Sequence, residues 1–248
     1  MQTELVKIDR EQMSRHIMKR AGEILQNGGL VAFPTETVYG LGADALNEEA
    51  AQKIYAAKGR PSDNPLIVHI ADMEALGRIA ESIPKEAKAL AEAFWPGPLT
   101  MIFRKKECVP SGTTGGLSTV AVRMPSDEIA RELIRQGGGY IAAPSANVSG
   151  RPSPTTAQHV YEDMKGRIPM ILDGGPVRIG LESTIVDLTE EHPVILRPGY
   201  ITLSMIRSIT GEAEVDRGLI ADHSTVRPKA PGMKYRHYAP RAELWIVE

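Results

Sequence analysis

The chain has 248 residues, 42% of them hydrophobic and 24% charged, with a formal net charge of −2. This is the composition of a soluble globular protein of one large domain, or of a domain with an appendage. The slight acidity excludes a global electrostatic drive toward nucleic acid or anionic membrane. Cys108, the single cysteine, excludes an intrachain disulfide and a multi-cysteine zinc site, and no apolar run approaches the roughly 20 residues that span a bilayer.

Met1 to Glu4 lacks the basic-then-apolar pattern of a secretory signal, so a cytoplasmic location without membrane association is expected. Glu11 to Gln26 fits a first helix, with Ile17, Ala21, Ile24 and Leu25 on one apolar stripe. Gly28-Gly29 stops it, and Leu30 to Phe33 follows as a buried strand ending at Pro34. Asn47 is placed to cap a helix to about Ala57, with Gly59 and Pro61 ending it. Leu66 to Ile70 is the next strand, and Asp72 caps a short helix after it. Pro84 opens a helix through Ala93, closed by Trp95-Pro96-Gly97-Pro98.

Leu99 to Phe103, Val120 to Val122 and Tyr140 to Ala143 read as further strands, with a helix from Asp127 to Arg135 between the last two. A helix ending at Met164 precedes strands at 170–172, 184–188 and 194–196, and Thr202 caps a last helix ending near Gly211. Helices and strands alternate early and strands cluster late, which predicts an α/β domain with a mixed sheet over residues 1–210. From 211 to 240 the large aliphatics thin out and prolines gather, the pattern of a linker. Within it Lys234 to Tyr238 is basic and aromatic. Leu244 to Val247 reads as one more strand, which either joins the first sheet or begins a further unit over 241–248.

Several segments carry polar chemistry at strand ends. Lys58 and Arg60 stand one residue apart where Gly59, Pro61 and Pro65 forbid a continuous helix, with Asn64 close by. Thr35, Glu36 and Thr37 follow directly on a strand, with Gly40 and Gly42 allowing close backbone approach. His69 points to one sheet face while Val68 and Ile70 point to the other. Thr119, Ala121 and Arg123 share one strand face, and an arginine fork suits a carboxylate or phosphate. Ser145, Asn147, Ser149 and Ser153 supply hydroxyls and an amide, and Ser183 and Arg197 mark the ends of two late strands. Separated cations and hydroxyls of this kind suit an anionic ligand such as a nucleotide phosphate chain. The glycine segment is neither a Walker loop nor a dinucleotide fingerprint, Ser145 lacks a nucleophile elbow, and no spacing indicates a protein-built metal site.

The segments Pro34 to Gly42, Lys58-Gly59-Arg60-Pro61 with Asn64-Pro65-Leu66, Trp95 to Thr100, Pro144 to Gly150, Ser183 to Asp187 and Arg197-Pro198-Gly199 together resemble the YrdC-like family of threonylcarbamoyl-AMP synthases. Its signature, Lys-x-Arg followed by Ser-x-Asn, is present as Lys58, Arg60, Ser145 and Asn147. Pro231 to Pro240 resembles the linker of the two-domain synthases, and 241–248 then corresponds to the start of their C-terminal domain.

The resemblance implies a twisted mixed sheet flanked by helices around a large cationic concave cavity. It implies synthesis of L-threonylcarbamoyl-AMP and pyrophosphate from L-threonine, bicarbonate and ATP, with magnesium carried on the ATP. The product would feed the tRNA threonylcarbamoyl transferase machinery that modifies the adenosine next to the anticodon. Carried over by similarity, Thr35, His69, Arg123, the backbone at Ala143, and Ser183 surround threonine. Lys58, Arg60, Asn64, Thr119, Ser145, Asn147, Ser153 and Arg197 go to ATP, with Lys58 and Arg60 catalytic and Tyr235 on a linker lid. An RNA-binding module, or an ATP-binding regulatory one, is the alternative. The basic aromatic run at 234–238 is the only sequence feature that favours RNA.

Overall fold

The computed structural model describes residues 1–216. Eleven strands form one twisted sheet: β1 (Glu4–Lys7), β2 (Val31–Phe33), β3 (Gly40–Asp44), β4 (Ile67–His69), β5 (Leu99–Arg104), β6 (Thr119–Arg123), β7 (Ile141–Ala142), β8 (Met170–Asp173), β9 (Thr184–Asp187), β10 (Val194–Arg197) and β11 (Glu214–Val215). Their spatial order is β1-β8-β2-β3-β7-β4-β6-β5-β9-β10-β11. Parallel pairs such as β4/β6 and β5/β9 alternate with antiparallel ones such as β5/β6 and β3/β7, so the sheet is mixed as the sequence predicts.

Helices flank the sheet. Helix α1 (Arg15–Gln26) packs on α6 (Glu128–Gln136), and Met18, Ala21, Leu25, Ile129, Leu133 and Ile134 fill the space between them and β2 and β7. They approach closely because α1 carries Gly22 at the crossing, where a Cβ would lie 2.4 Å from the Gln136 carbonyl oxygen. The main core gathers under α2 (Glu48–Lys58), α3 (Met73–Ile79), α4 (Lys85–Phe94), α7 (Ala157–Met164) and α8 (Leu203–Thr210), with the short α5 (Ser111–Thr114) beside α2. The caps follow the sequence: Asn47, Asp72, Asp127, Thr156 and Thr202 each accept a main-chain N–H from the first turn of their helix. Gly59 ends α2 in the left-handed region at φ 61°.

Four elements differ from the sequence reading, among them β1 and the short α5, where no element was assigned. Residues 40–44, read as loop, form β3. Gly40 and Gly42 are strand-depleted types, yet here the Phe33 ring and the Ile141 side chain occupy the space any Cβ would need. Residues 214 and 215, assigned to the linker, pair with β10 as β11. The linker from residue 217 on, Tyr235 and the strand at 244–247 lie outside the described residues.

Candidate active site

The site grows from one cross-strand row. Register places His69 of β4 opposite Arg123 of β6, and Arg123 opposite Thr100 of β5, so three polar side chains share one face of three neighbouring strands. Ile67, Ala121, Ile102 and Ile185 lie on the same face as a buried apolar bed. Loops at the strand ends close around this row. Thr35 starts the loop between β2 and β3, and its hydroxyl donates to the Val38 carbonyl (2.7 Å) while accepting the amides of Thr37 and Val38. Ser145 to Asn147 is zipped onto the same loop through Leu41 N–H to Pro144 O and Ala146 N–H to Tyr39 O. A third segment is tied on by Ile179 N–H to Glu36 O and Gly180 N–H to Thr37 O, which delivers Leu181, Glu182 and Ser183.

The resulting cavity measures about 270 Å³, at the small end for ligand sites. Of the predicted residues, Thr35, Arg60, His69, Arg123, Ala143, Ser145, Asn147, Ser153, Ser183 and Arg197 all line it. These ten come from five separated stretches of chain. Among the described residues its wall carries three guanidinium groups and a single carboxylate, that of Glu182.

Each polar group has a definable state. Burial, first, and then the charge of Arg123 lower the His69 pKa to about 3, partly offset by the carbonyls of Ile67 and Ile141. The imidazole is therefore neutral at physiological pH, and its Nδ1 stands 3.1 Å from the Ile67 carbonyl, which makes that nitrogen the donor. Arg123 is buried beside Glu36, with Nη2 2.8 Å from Oε1. The contact lies off the N–H direction, so among the described residues Nε and Nη2 have no hydrogen-bond acceptor and the pairing is one of charge. The Ala143 amide already donates to Ile67 O (2.9 Å), so what this residue can offer a ligand is its carbonyl. Arg197 donates from Nε and Nη2 to the Ser183 carbonyl and from Nη2 to the Ser183 hydroxyl (3.1 Å). Ser153 hydrogen-bonds Glu182, and Ser145 donates to the Asn147 side-chain oxygen (2.6 Å).

Three predicted residues are not on the cavity wall. Lys58 is fully buried, and its Nζ donates to Ser145 O (2.5 Å) and Asn147 O (2.5 Å), with Asn147 Oδ1 at 3.4 Å. Burial and then the Arg60 charge hold its pKa well below the ordinary lysine value. In this arrangement Lys58 fastens the Ser145–Asn147 loop to the end of α2. Asn64 is buried beside the wall, its carbonyl accepting from the Tyr55 hydroxyl (3.2 Å) and its Oδ1 without a hydrogen bond among the described residues. Thr119 shares the strand face of Arg123 but sits four residues away, opposite Arg104.

The sequence reading missed Glu36 and Thr100 as site residues, along with the lining residues Thr37, Leu181, Glu182 and Pro198. Glu36 and Thr37 lay in a segment singled out for its hydroxyls and carboxylate. Thr100 ends the Trp95 to Thr100 segment that carries the resemblance, but only strand register brings it beside Arg123.

A family model described as "Telomere recombination", covering the Sua5, YciO and YrdC proteins, matches residues 23–199. A second, described as "Threonylcarbamoyl-AMP synthase, C-terminal domain", matches residues 201–248. A Pyrococcus abyssi threonylcarbamoyl-AMP synthase is 56% identical over 96% of this chain and 70% of its own length. The chain belongs to the threonylcarbamoyl-AMP synthase family. A Bacillus subtilis synthase is 53% identical over 92% of this chain and 66% of its own, so the chain spans about two thirds of these relatives. The crystal structure of P. abyssi Sua5 complexed with L-threonine superposes with a TM-score of 0.93 at 54% identity, over 97% of this chain and 70% of that one. Membership places the cavity in a family of nucleotidyltransferase-type enzymes that make threonylcarbamoyl-AMP.

Proposed function

We propose that this chain makes L-threonylcarbamoyl-AMP from L-threonine, bicarbonate and ATP. The observation that carries this reading is the cavity, where the polar row of the sheet faces the hydroxyls and guanidiniums of the loops. A solved relative bound to L-threonine supports the amino-acid assignment. Threonine nitrogen attacks the bicarbonate carbon, releasing water and forming a carbamate. A carbamate oxygen then attacks the α-phosphorus of ATP, and pyrophosphate leaves with the bonding electrons. Carbamates decompose in water, so the enclosed bed of Ile67, Ile102, Ala121 and Ile185 serves to exclude solvent.

In this reading Arg123 takes the threonine carboxylate, with Glu36 behind it fixing the guanidinium. Thr35, the Ala143 carbonyl, Ser183 and neutral His69 surround the rest of the amino acid. Arg60 and Arg197 neutralise charge on the phosphates as the bond to pyrophosphate breaks. Ser145, Asn147 and Ser153 hold the nucleotide, and Lys58 supports them through the loop it anchors. Magnesium fits this wall as an ion carried on the ATP phosphates, since Glu182 is the one carboxylate among the described lining residues. The product, a mixed anhydride, is consumed by the machinery that transfers threonylcarbamoyl to tRNA, which suits a cytoplasmic setting. Among the described residues no helix is long and apolar enough to cross a membrane.

Carbon-13 bicarbonate tests the reading. With L-threonine, ATP and magnesium, the label is expected in a product of the mass of threonine plus carbonyl plus AMP. A product containing threonine and AMP without the labelled carbon would defeat it.

A further inference from the structure

We infer that Thr100, a buried residue outside the cavity wall, fixes the hydrogen-bond polarity of Ser183 and so sets the site's preference for an amino acid with a side-chain hydroxyl. The inference rests on the synthase reading and deepens it. Thr100 is fully buried, and its Oγ1 lies 2.7 Å from Ser183 Oγ. Among the described residues that oxygen is the only hydrogen-bond partner of the Thr100 hydroxyl.

The direction follows by elimination. If Ser183 donated to Thr100, the Thr100 proton would be left in the interior with no acceptor, at the full cost of an unsatisfied buried donor. Thr100 therefore donates and Ser183 accepts. Ser183 Oγ also accepts from Arg197 Nη2 at 3.1 Å. Both of its lone pairs are then engaged, and a hydroxyl has only two. What remains is the Ser183 proton, on a side chain that lines the cavity. The site meets its ligand at this point as a hydrogen-bond donor and cannot serve as an acceptor. A ligand oxygen satisfies that donor, and a methyl group leaves it unpaired. With Arg123 given to the substrate carboxylate, the oxygen that fits is the side-chain hydroxyl oxygen of threonine. Sites that hydrogen-bond a substrate hydroxyl reject analogues lacking it more strongly than apolar pockets reject a size change.

Thr100 is thus a positioning residue that acts through Ser183. The test is calorimetric binding of L-threonine and of L-2-aminobutyrate, its analogue without the hydroxyl, to the full chain. Wild-type protein should bind threonine at least tenfold more tightly. Thr100→Val, which keeps the shape and removes the hydroxyl, should shrink that ratio to about threefold or less while ATP affinity stays within twofold. Thr100→Ser should restore the wild-type ratio. In a Ser183→Ala background, Thr100→Val should have no further effect on selectivity. A Thr100→Val protein that weakens both amino acids equally would show a packing role only and overturn the inference. So would Thr100→Ser losing selectivity while remaining folded by circular dichroism, a result that needs no folded valine variant. Pyrophosphate release by the wild type is scored separately. Its absence despite selective threonine binding would sink the synthase reading and leave the role of Thr100 standing.

Discussion

At His69, burial and the neighbouring guanidinium of Arg123 push in the same direction, holding the pKa at about 3 against an ordinary 6.5. Between those values the unfolded chain binds a proton that the folded chain refuses. Stability therefore falls as pH drops through that window, by about 1.4 kcal/mol per unit for a full single-site effect. Replacing His69 by Gln removes the titration. Urea unfolding at pH 7 and pH 5 should show the wild type losing roughly 2 kcal/mol more than His69→Gln, and equal losses would refute the assignment. Lys58 shows what sequence could and could not reveal at this scale. Its place in a cation-rich segment at the end of a helix was legible, whereas its burial was not, because the oxygens it binds belong to residues 145 and 147. Lys58→Ala leaves those groups without their donor and opens a cavity. It should cost about 2–3 kcal/mol, a fall in Tm of roughly 5–10 °C by calorimetry, as well as activity. An unchanged Tm would mean that the ammonium does not hold the loop.

Elements defined by local signals were legible. The helices at 48–58, 73–79, 85–94 and 128–136 follow caps and stops written within a few residues of their ends. Strand β3 was not, because its glycines argue against a strand unless the partners that crowd them, Phe33 and Ile141, are already known. Two glycines test this distinction between local and non-local constraint. Gly59 sits at positive φ with open space where a Cβ would go, so Gly59→Ala should cost about 1 kcal/mol through backbone strain alone. Gly22 is helical but meets the Gln136 backbone, so Gly22→Ala must part α1 from α6 and should cost about 3 kcal/mol or more. Thermal unfolding of the pair should rank them in that order. The reverse ranking would contradict the α1–α6 crossing.

Across the whole molecule, the α/β class and the mixed sheet were readable from the alternation of periodic segments. The strand order was not. Neighbours such as β3 and β7, or β5 and β9, lie some 85 to 100 residues apart in the chain, and nothing local announces the pairing. The site divides in the same way. Loop residues rich in glycine, proline and hydroxyls announced themselves, and the resemblance assigned most of them. The row His69, Arg123, Thr100 exists only once three strands are in register, which is why Thr100 was read as part of a strand and a family segment but not as a site residue, and why Glu36 and Arg123 were each read without the other. A cavity assembled from five stretches should also couple ligand to fold. Saturating L-threonine at 100 times its Kd should stabilise the chain by about 2.7 kcal/mol, read as a rise in Tm, and no shift would mean that threonine does not bind the folded state.

The measurement that bears most directly on the central claim is pyrophosphate release from ATP with magnesium and bicarbonate, run with L-threonine, with L-serine and with no amino acid. The account predicts release that is strongest with threonine, weaker with serine, which keeps the hydroxyl and lacks only the methyl, and absent without an amino acid. Release indifferent to the amino acid, or ATP binding with no threonine-dependent release, would contradict it.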